Sequence, residues 1–429
     1  MQLVTHCIPG LELVSHRFEL PLDHADPSKG AIAVFAREVR DPGPDGRDRP
    51  WLIFLQGGPG FASPRPMGAS GWIKRAIREF RVLLLDQRGT GLSTPIHAST
   101  VQSLGSAENI AAYLRHFRAD AIVRDAEAIR RELAGGEPWT ALGQSFGGFC
   151  VTHYLSAAPE GLAAALLTGG LPPLTASADD VYRATFRRVL SRNRRYFERY
   201  PEDQEILQRL VTQLRDHRVD LPSGGPLTPR KLQQLGFAFG MSDGFETVHY
   251  LLEEAFVDGP NGAEPSFAFL RGVDNQLPFE TNPLFAVLHE PCYAQGSATL
   301  WAAERMRQEM PELEIAHDRP FLFTGEMIFP WMLDEYPRLQ PLKAAAHILA
   351  EDAHWPRLYD PARLAQNRVP AAAAIYHDDM YVERRFSEEA ADSIRGLRTW
   401  ITNEYDHNGL RADGEKILDR LLAMAHGRE

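Results

Sequence analysis

The sequence predicts an α/β fold, a mostly parallel sheet into which a helical cap is inserted. Three observations carry this expectation. The short apolar runs Trp51–Leu55, Arg81–Leu85 and Ala163–Leu167 fit strands covered on both faces, as parallel sheets require. Strand-like and helix-like segments alternate around them, the succession that builds such a sheet. From about Leu174 amphipathic helical texture takes over, until strand-like texture returns at Val369–Tyr376 and Thr399–Thr402.

Along the chain, Leu11–Leu20 and Ala31–Val39 alternate enough for an antiparallel hairpin, separated by the turn-rich Asp23–Gly30. The polar loop Asp41–Arg49 leads into the first apolar strand, and Arg81–Leu85 is the second. Pro138–Leu142 reads as a further strand and Gly148–Leu155 as a helix, with Ala163–Leu167 after it. The helical stretch is punctuated by Leu221–Pro226 and Asp258–Gly262. A chain of 429 residues is too long for one simple core and suits two domains or one with a large insertion. The expected division is a sheet core over 1–173, a helical cap over 174–365, and the rest of the core over 366–429.

Composition narrows the classes. The hydrophobic fraction of 44% is ordinary for a globular protein. No apolar stretch approaches the roughly 18–20 residues needed to cross a bilayer. Met1–His6 lacks a basic region followed by a long apolar one, so no signal peptide is expected and the location reads as cytoplasmic. A formal charge of −11 argues against nucleic acid or an anionic membrane as partner. Cys7, Cys150 and Cys292 are widely spaced without metal-ligand pairing and read as reduced thiols, so no metal is expected. Arg183, Arg187, Arg188, Arg192, Arg194, Arg195 and Arg199 crowd one predicted helix, where a solvated face is the expectation.

Gly143-Gln144-Ser145-Phe146-Gly147 lies between a predicted strand and a predicted helix. A serine on such a turn takes a strained backbone that lifts its hydroxyl from the sheet and aims a helix N-terminus at a developing oxyanion. A serine hydroxyl needs a base, usually a histidine oriented by a carboxylate. Hydrolases with this turn carry the acid and then the histidine later in the chain. Strand Ala371–Tyr376 ends in His377-Asp378-Asp379, and Asn403–Gly409 places His407 in a polar, glycine-terminated loop. Either aspartate can serve by position alone. Gln56-Gly57-Gly58-Pro59-Gly60 follows the first apolar strand; the backbone N–H of Gly57 or Gly58, with that of Phe146, is suited to an oxyanion hole. Asp86–Ser93 reads as a structural turn in which Asp86 and Arg88 tie down loops. Cys150, one and a half turns beyond Ser145, reads as a packing group.

Taken together, Gln56–Gly60, Asp86–Ser93, Gly143–Gly148, Asp379 and His407 resemble the proline iminopeptidases of the α/β-hydrolase fold, in their longer, bulkier-cap branch. The resemblance is firm over roughly 50–170 and 370–410 and looser across the cap. It implies a serine exopeptidase releasing N-terminal proline from short peptides through an acyl-enzyme on Ser145, without cofactor. A broader aminopeptidase or a carboxylesterase with the same triad is the alternative, and self-association into a homo-oligomer stays open. It favours Asp379 over Asp378 as the acid. It also implies cap carboxylates that bind the substrate's ammonium: Glu246 first, with Glu326 as its partner and Glu290 as rival. The sequence departs from the family where Gln56 stands in place of a histidine, and where Leu167–Gly170 lacks the arginine of smaller members.

Overall fold

Residues 4–260 and 262–428 are described by the computed structural model. Its main sheet contains β1 (Val4–Ile8), β2 (Leu11–Pro21), β3 (Ala31–Arg40), β4 (Trp51–Leu55), β5 (Arg81–Asp86), β6 (Trp139–Gln144) and β7 (Leu162–Thr168). After β8 (Phe256–Gly259) and β9 (Gly262–Pro265), which pair only with each other, β10 (Ala371–Tyr376) and β11 (Leu397–Thr402) complete it. The nine strands run in the order β1-β2-β3-β5-β4-β6-β7-β10-β11. The first three join antiparallel, β3 meets β5 antiparallel, and every pairing from β5 to β11 is parallel.

Alternation along the parallel strands builds two cores, one per face, because successive side chains point to opposite sides. Ile53, Leu55, Leu83, Leu85, Ala141 and Leu167 enter one cluster; Leu52, Phe54, Val82, Leu84, Leu142 and Leu166 enter the other. The second is closed by the helix Gly414–Ala425, with Trp72, Ile417 and Leu421 against the sheet. Strand β10 is buried along its whole length, and its four alanines leave room for elements packed on both faces. Truncating such a buried leucine to alanine typically costs about 2–5 kcal/mol.

Between β7 and β10 the chain is mainly helical. Its longest helix, Ala178–Arg199, starts at a capping box in which Ser177 and Asp180 satisfy each other's backbone amides. It buries Val181, Phe186, Val189 and Tyr196, and these residues share one continuous cluster with the first face of the sheet. Two elements lie outside the sequence expectation. Strand β1 extends the antiparallel edge, and the β8–β9 hairpin interrupts the helices where Asp258–Gly262 marks a turn. Among the described residues no helix is long and apolar enough to cross a membrane.

Buried charge fixes the loops at the carboxyl ends of the strands. Arg88, fully buried, donates to Asp125 and to the carbonyls of Leu22 and His116. Asp86 accepts from the amides of Ser63 and Leu92. This is the structural turn expected of Asp86–Ser93.

Candidate active site

Ser145 sits between β6 and the helix Phe146–Ala157 with φ 55° and ψ −125°. Positive φ at a non-glycine residue is strained and persists only where the surroundings hold it. Here the Ser145 amide donates to the Thr168 carbonyl at 3.0 Å, and the Gly148 amide donates to the Ser145 carbonyl at 2.7 Å. The neighbouring glycines are required by close approach: a Cβ on Gly147 would stand 1.8 Å from the Leu55 carbonyl oxygen, and one on Gly170 would stand 2.4 Å from that of Ser145.

The end of β7 brings the histidine to the same place. Gly169 has φ 53°, and a Cβ there would lie 3.2 Å from His407 Nδ1. The His407 imidazole and the Tyr376 ring fill the space beside Gly169. His407 follows β11, and its Nδ1 lies 2.8 Å from Asp379 Oδ2. The other carboxylate oxygen of Asp379 accepts from the amides of Tyr381 at 2.9 Å and Val382 at 3.0 Å. Both side chains are buried, at 1% and 4% exposure. Burial pushes the imidazole pKa down, but the Asp379 charge and hydrogen bond, joined by Glu326 and Asp406, carry it above the ordinary histidine value. Asp378 points outward, 44% exposed, toward His377 and Arg195. Geometry thus pairs His407 with Asp379 and leaves Asp378 outside.

The loop after β4 closes the other side of the serine. A Cβ on Gly57 would come within 3.0 Å of Ser145 Cβ, and Gly58 adopts φ 136°. Gln87 holds this loop by donating from its side-chain amide to the Gln56 carbonyl at 2.9 Å. Phe146 begins the helix that leaves the same turn, and the first amides of a helix have no intrahelical acceptor.

The three cap glutamates have separate placements. Glu326 is 13% exposed, with His289 Nε2 3.6 Å from its Oε2, and its charge reaches His407 and Tyr381. His289 is itself oriented by the Tyr182 hydroxyl, 2.9 Å from its Nδ1. Glu246 instead pairs with Arg199, with the Tyr200 hydroxyl donating to it at 3.3 Å, on a partly exposed edge. Glu290 is buried, and its two oxygens accept from the amides of Ala302 at 3.0 Å and Ala303 at 2.8 Å. It caps the helix Ala302–Gln308, and burial pushes its carboxyl pKa up to about 7. Of the three glutamates named from the sequence, Glu326 is the one whose charge acts on His407, while it pairs with His289; Glu246 pairs with Arg199 and Glu290 with the amides of Ala302 and Ala303.

Comparison with known proteins identifies the family. Residues 50–244 match the family model described as alpha/beta hydrolase fold. The chain is 52% identical to the proline iminopeptidase of Aeromonas sobria over 98% of both chains. It belongs to the proline iminopeptidase family. A proline iminopeptidase of Aspergillus aculeatus is 34% identical over 96% of this chain and 93% of its own. Among solved structures, the proline iminopeptidase of Mycobacterium smegmatis aligns at 13% identity and a TM-score of 0.47, over 96% of this chain and 98% of that one.

Within this family member, an aromatic wall that sequence reasoning did not assemble runs from the histidine to the glycine loop after β4. Tyr381 meets His407 edge to face at 4.7 Å and stacks on Phe237 at 5.5 Å. Phe285 lies 6.1 Å from Phe237 and 5.3 Å from Phe61, which follows the glycine loop after β4. Tyr381 is two residues from Asp379 and Phe61 is next to Gly60, so adjacency to the motifs was the available signal. Phe237 and Phe285 carry no local signal, since only the cap's tertiary packing brings them here. The arginine helix also differs from expectation: Arg188, Arg192 and Arg195 face the loops after β10 and β11. Cys150 is fully buried, and burial pushes its thiol well above the usual range, as fits a packing group.

Proposed function

We propose that this chain is a prolyl aminopeptidase, a serine exopeptidase that releases N-terminal proline from short peptides. The observation that carries the reading is the buried Asp379–His407 pair, 2.8 Å apart, set beside the strained Ser145 turn with the Glu326 carboxylate within electrostatic reach. His407 takes the proton of the Ser145 hydroxyl as Oγ attacks the prolyl carbonyl carbon. The oxygen's developing charge is met by the amides of Phe146 and of Gly57 or Gly58, positions supported by the abutting glycine loop. The intermediate collapses by breaking the C–N bond, and His407 returns its proton to the leaving amine. Water, deprotonated by His407, then attacks the prolyl ester and frees proline and Ser145. Asp379 holds the imidazole's orientation and stabilises its charged form. Glu326 binds the substrate's ammonium by a charge-assisted hydrogen bond, and the Tyr381–Phe237 wall receives the pyrrolidine ring.

In this reading residues 174–365 form the cap and residues 1–173 and 366–429 the catalytic core, with the cap's helices placed between β7 and β10. The three free cysteines support a cytoplasmic setting. Turnover of proline β-naphthylamide, alanine β-naphthylamide and a short acyl ester tests the assignment on wild type and Ser145→Ala. Proline should be preferred and Ser145→Ala inactive on all three. Faster turnover of the ester than of the proline substrate would favour a carboxylesterase.

A further inference from the structure

One face of the helix Ala178–Arg199 is turned toward the two loops that carry the proposed acid and base. Arg188, Arg192 and Arg195 follow a spacing of i, i+4 and i+7, which stacks them on one side of a helix. Arg188 donates to Glu383 at 2.6 and 2.9 Å, and Arg195 Nη1 lies 3.4 Å from Asp378 Oδ2. Arg192 does something different. Its Nη2 donates to the backbone carbonyl of Asp378 at 2.9 Å and also to the Asp406 carboxylate. Asp378 immediately precedes Asp379, and Asp406 immediately precedes His407. A single guanidinium therefore spans the residue before the acid and the residue before the base.

Its environment makes this contact consequential. The Arg192 side chain is 6% exposed, so water does not compete for its donors as it does at an exposed pair. Guanidinium is planar, with donors in a rigid fork, so it fixes the separation of two acceptors in a way a flexible ammonium cannot. Other cap hydrogen bonds reach only one loop each: His407 donates its amide to the Gly240 carbonyl at 3.1 Å, Ser242 donates to Asn408 Oδ1, and the Tyr381 hydroxyl donates to the Phe237 carbonyl.

We propose that Arg192 is a positioning residue, a cap-borne latch that holds the two loops at the separation the Asp379–His407 hydrogen bond needs. The seating of the cap thereby sets the geometry of the catalytic pair. This rests on the reading of Asp379 and His407 as acid and base. Misplacement of catalytic groups by about 1 Å can cost about 10²-fold in rate. Loss of the latch should therefore act on kcat for every substrate, while binding of a small ester, which needs no cap contact, is spared.

The test is steady-state kinetics on proline β-naphthylamide and a short acyl ester, with thermal melting of each variant. Arg192→Met should lower kcat about 10–10²-fold on both substrates and leave the ester KM within about twofold. Arg192→Lys should recover part of the loss, because it keeps the charge and can reach one acceptor. Asp406→Asn should lose less, and the double variant should be no worse than Arg192→Met, since both act through one contact. Arg187→Met, on the exposed side of the same helix, should behave as wild type. Should Arg192→Met fail to fold, Arg192→Lys and Asp406→Asn make the same comparison. Full kcat in folded Arg192→Met, multiplying losses in the double variant, or a loss confined to the proline substrate would each overturn the latch. His407→Ala separates the two levels: if it stays active the catalytic reading fails, and if it is dead while Arg192→Met is unimpaired only the latch fails.

Discussion

Asp378 and Asp379 are chain neighbours with opposite surroundings. The first meets water, His377 and arginines; the second is sealed between two backbone amides and an imidazole. That contrast makes a clean test. Asp379→Asn should lower kcat on the order of 10⁴-fold, because the amide favours the wrong imidazole tautomer, while Asp378→Asn stays near wild type. Steady-state kinetics of the two variants checks it, and the opposite ranking would shift the acid by one residue. The raised pKa of His407 has a kinetic sign as well. The general base must be neutral, so the acid limb of kcat/KM should fall above the ordinary histidine value of about 6.5. Replacing Glu326 by glutamine removes a negative charge that lifts this pKa, so the limb should move to lower pH. The same variant should lose about 10–10²-fold in kcat/KM on proline β-naphthylamide, the scale of a charge-assisted hydrogen bond. A pH profile unmoved from wild type would place Glu326 too far from His407 to act on it.

Elements differ in how plainly the sequence announces them. The parallel strands are legible because burial on both faces demands continuous apolar runs, as in Trp51–Leu55. The Ser145 turn is legible because its sterics are local and its glycines are forced by backbone contacts within a few ångströms. Strand β1 is not, since Val4–Ile8 lies at the sheet's edge, largely exposed, and carries no burial pattern. The cap is legible as helical, but the direction of each side chain depends on which helix packs beside it. Glu246 illustrates this: the resemblance names it first among the cap carboxylates, yet its carboxylate turns to Arg199 on the neighbouring helix. Glu290 shows the same effect in reverse, being drawn inward to cap Ala302–Gln308. Glu290→Ala should destabilise the fold by about 1–3 kcal/mol, the cost of leaving buried amides unpaired. Thermal unfolding would register this, with KM for proline substrates unchanged; a raised KM at unchanged stability would return Glu290 to substrate binding.

At the scale of the whole molecule, the cap and the sheet share one apolar cluster, and the cap's contacts converge on the loops around Ser145. A Cβ on Gly60 would stand 2.7 Å from the Phe285 amide nitrogen, so the cap rests directly on the glycine loop. Gly240 accepts the His407 amide, and Arg192 bridges the acid and base loops. On the proposed reading, a site covered in this way, with the Glu326 charge acting on His407, suits a substrate that enters by its terminus and presents an ammonium. The proposed activity depends on recognition of a free N-terminus, and the most direct measurement compares kcat/KM for proline β-naphthylamide with that for its N-acetyl derivative. Acetylation removes the positive charge that the proposed contact with Glu326 requires and adds bulk at that nitrogen. The free substrate should be turned over and the blocked one should be at least about 10²-fold poorer; equal turnover of the two would contradict the account.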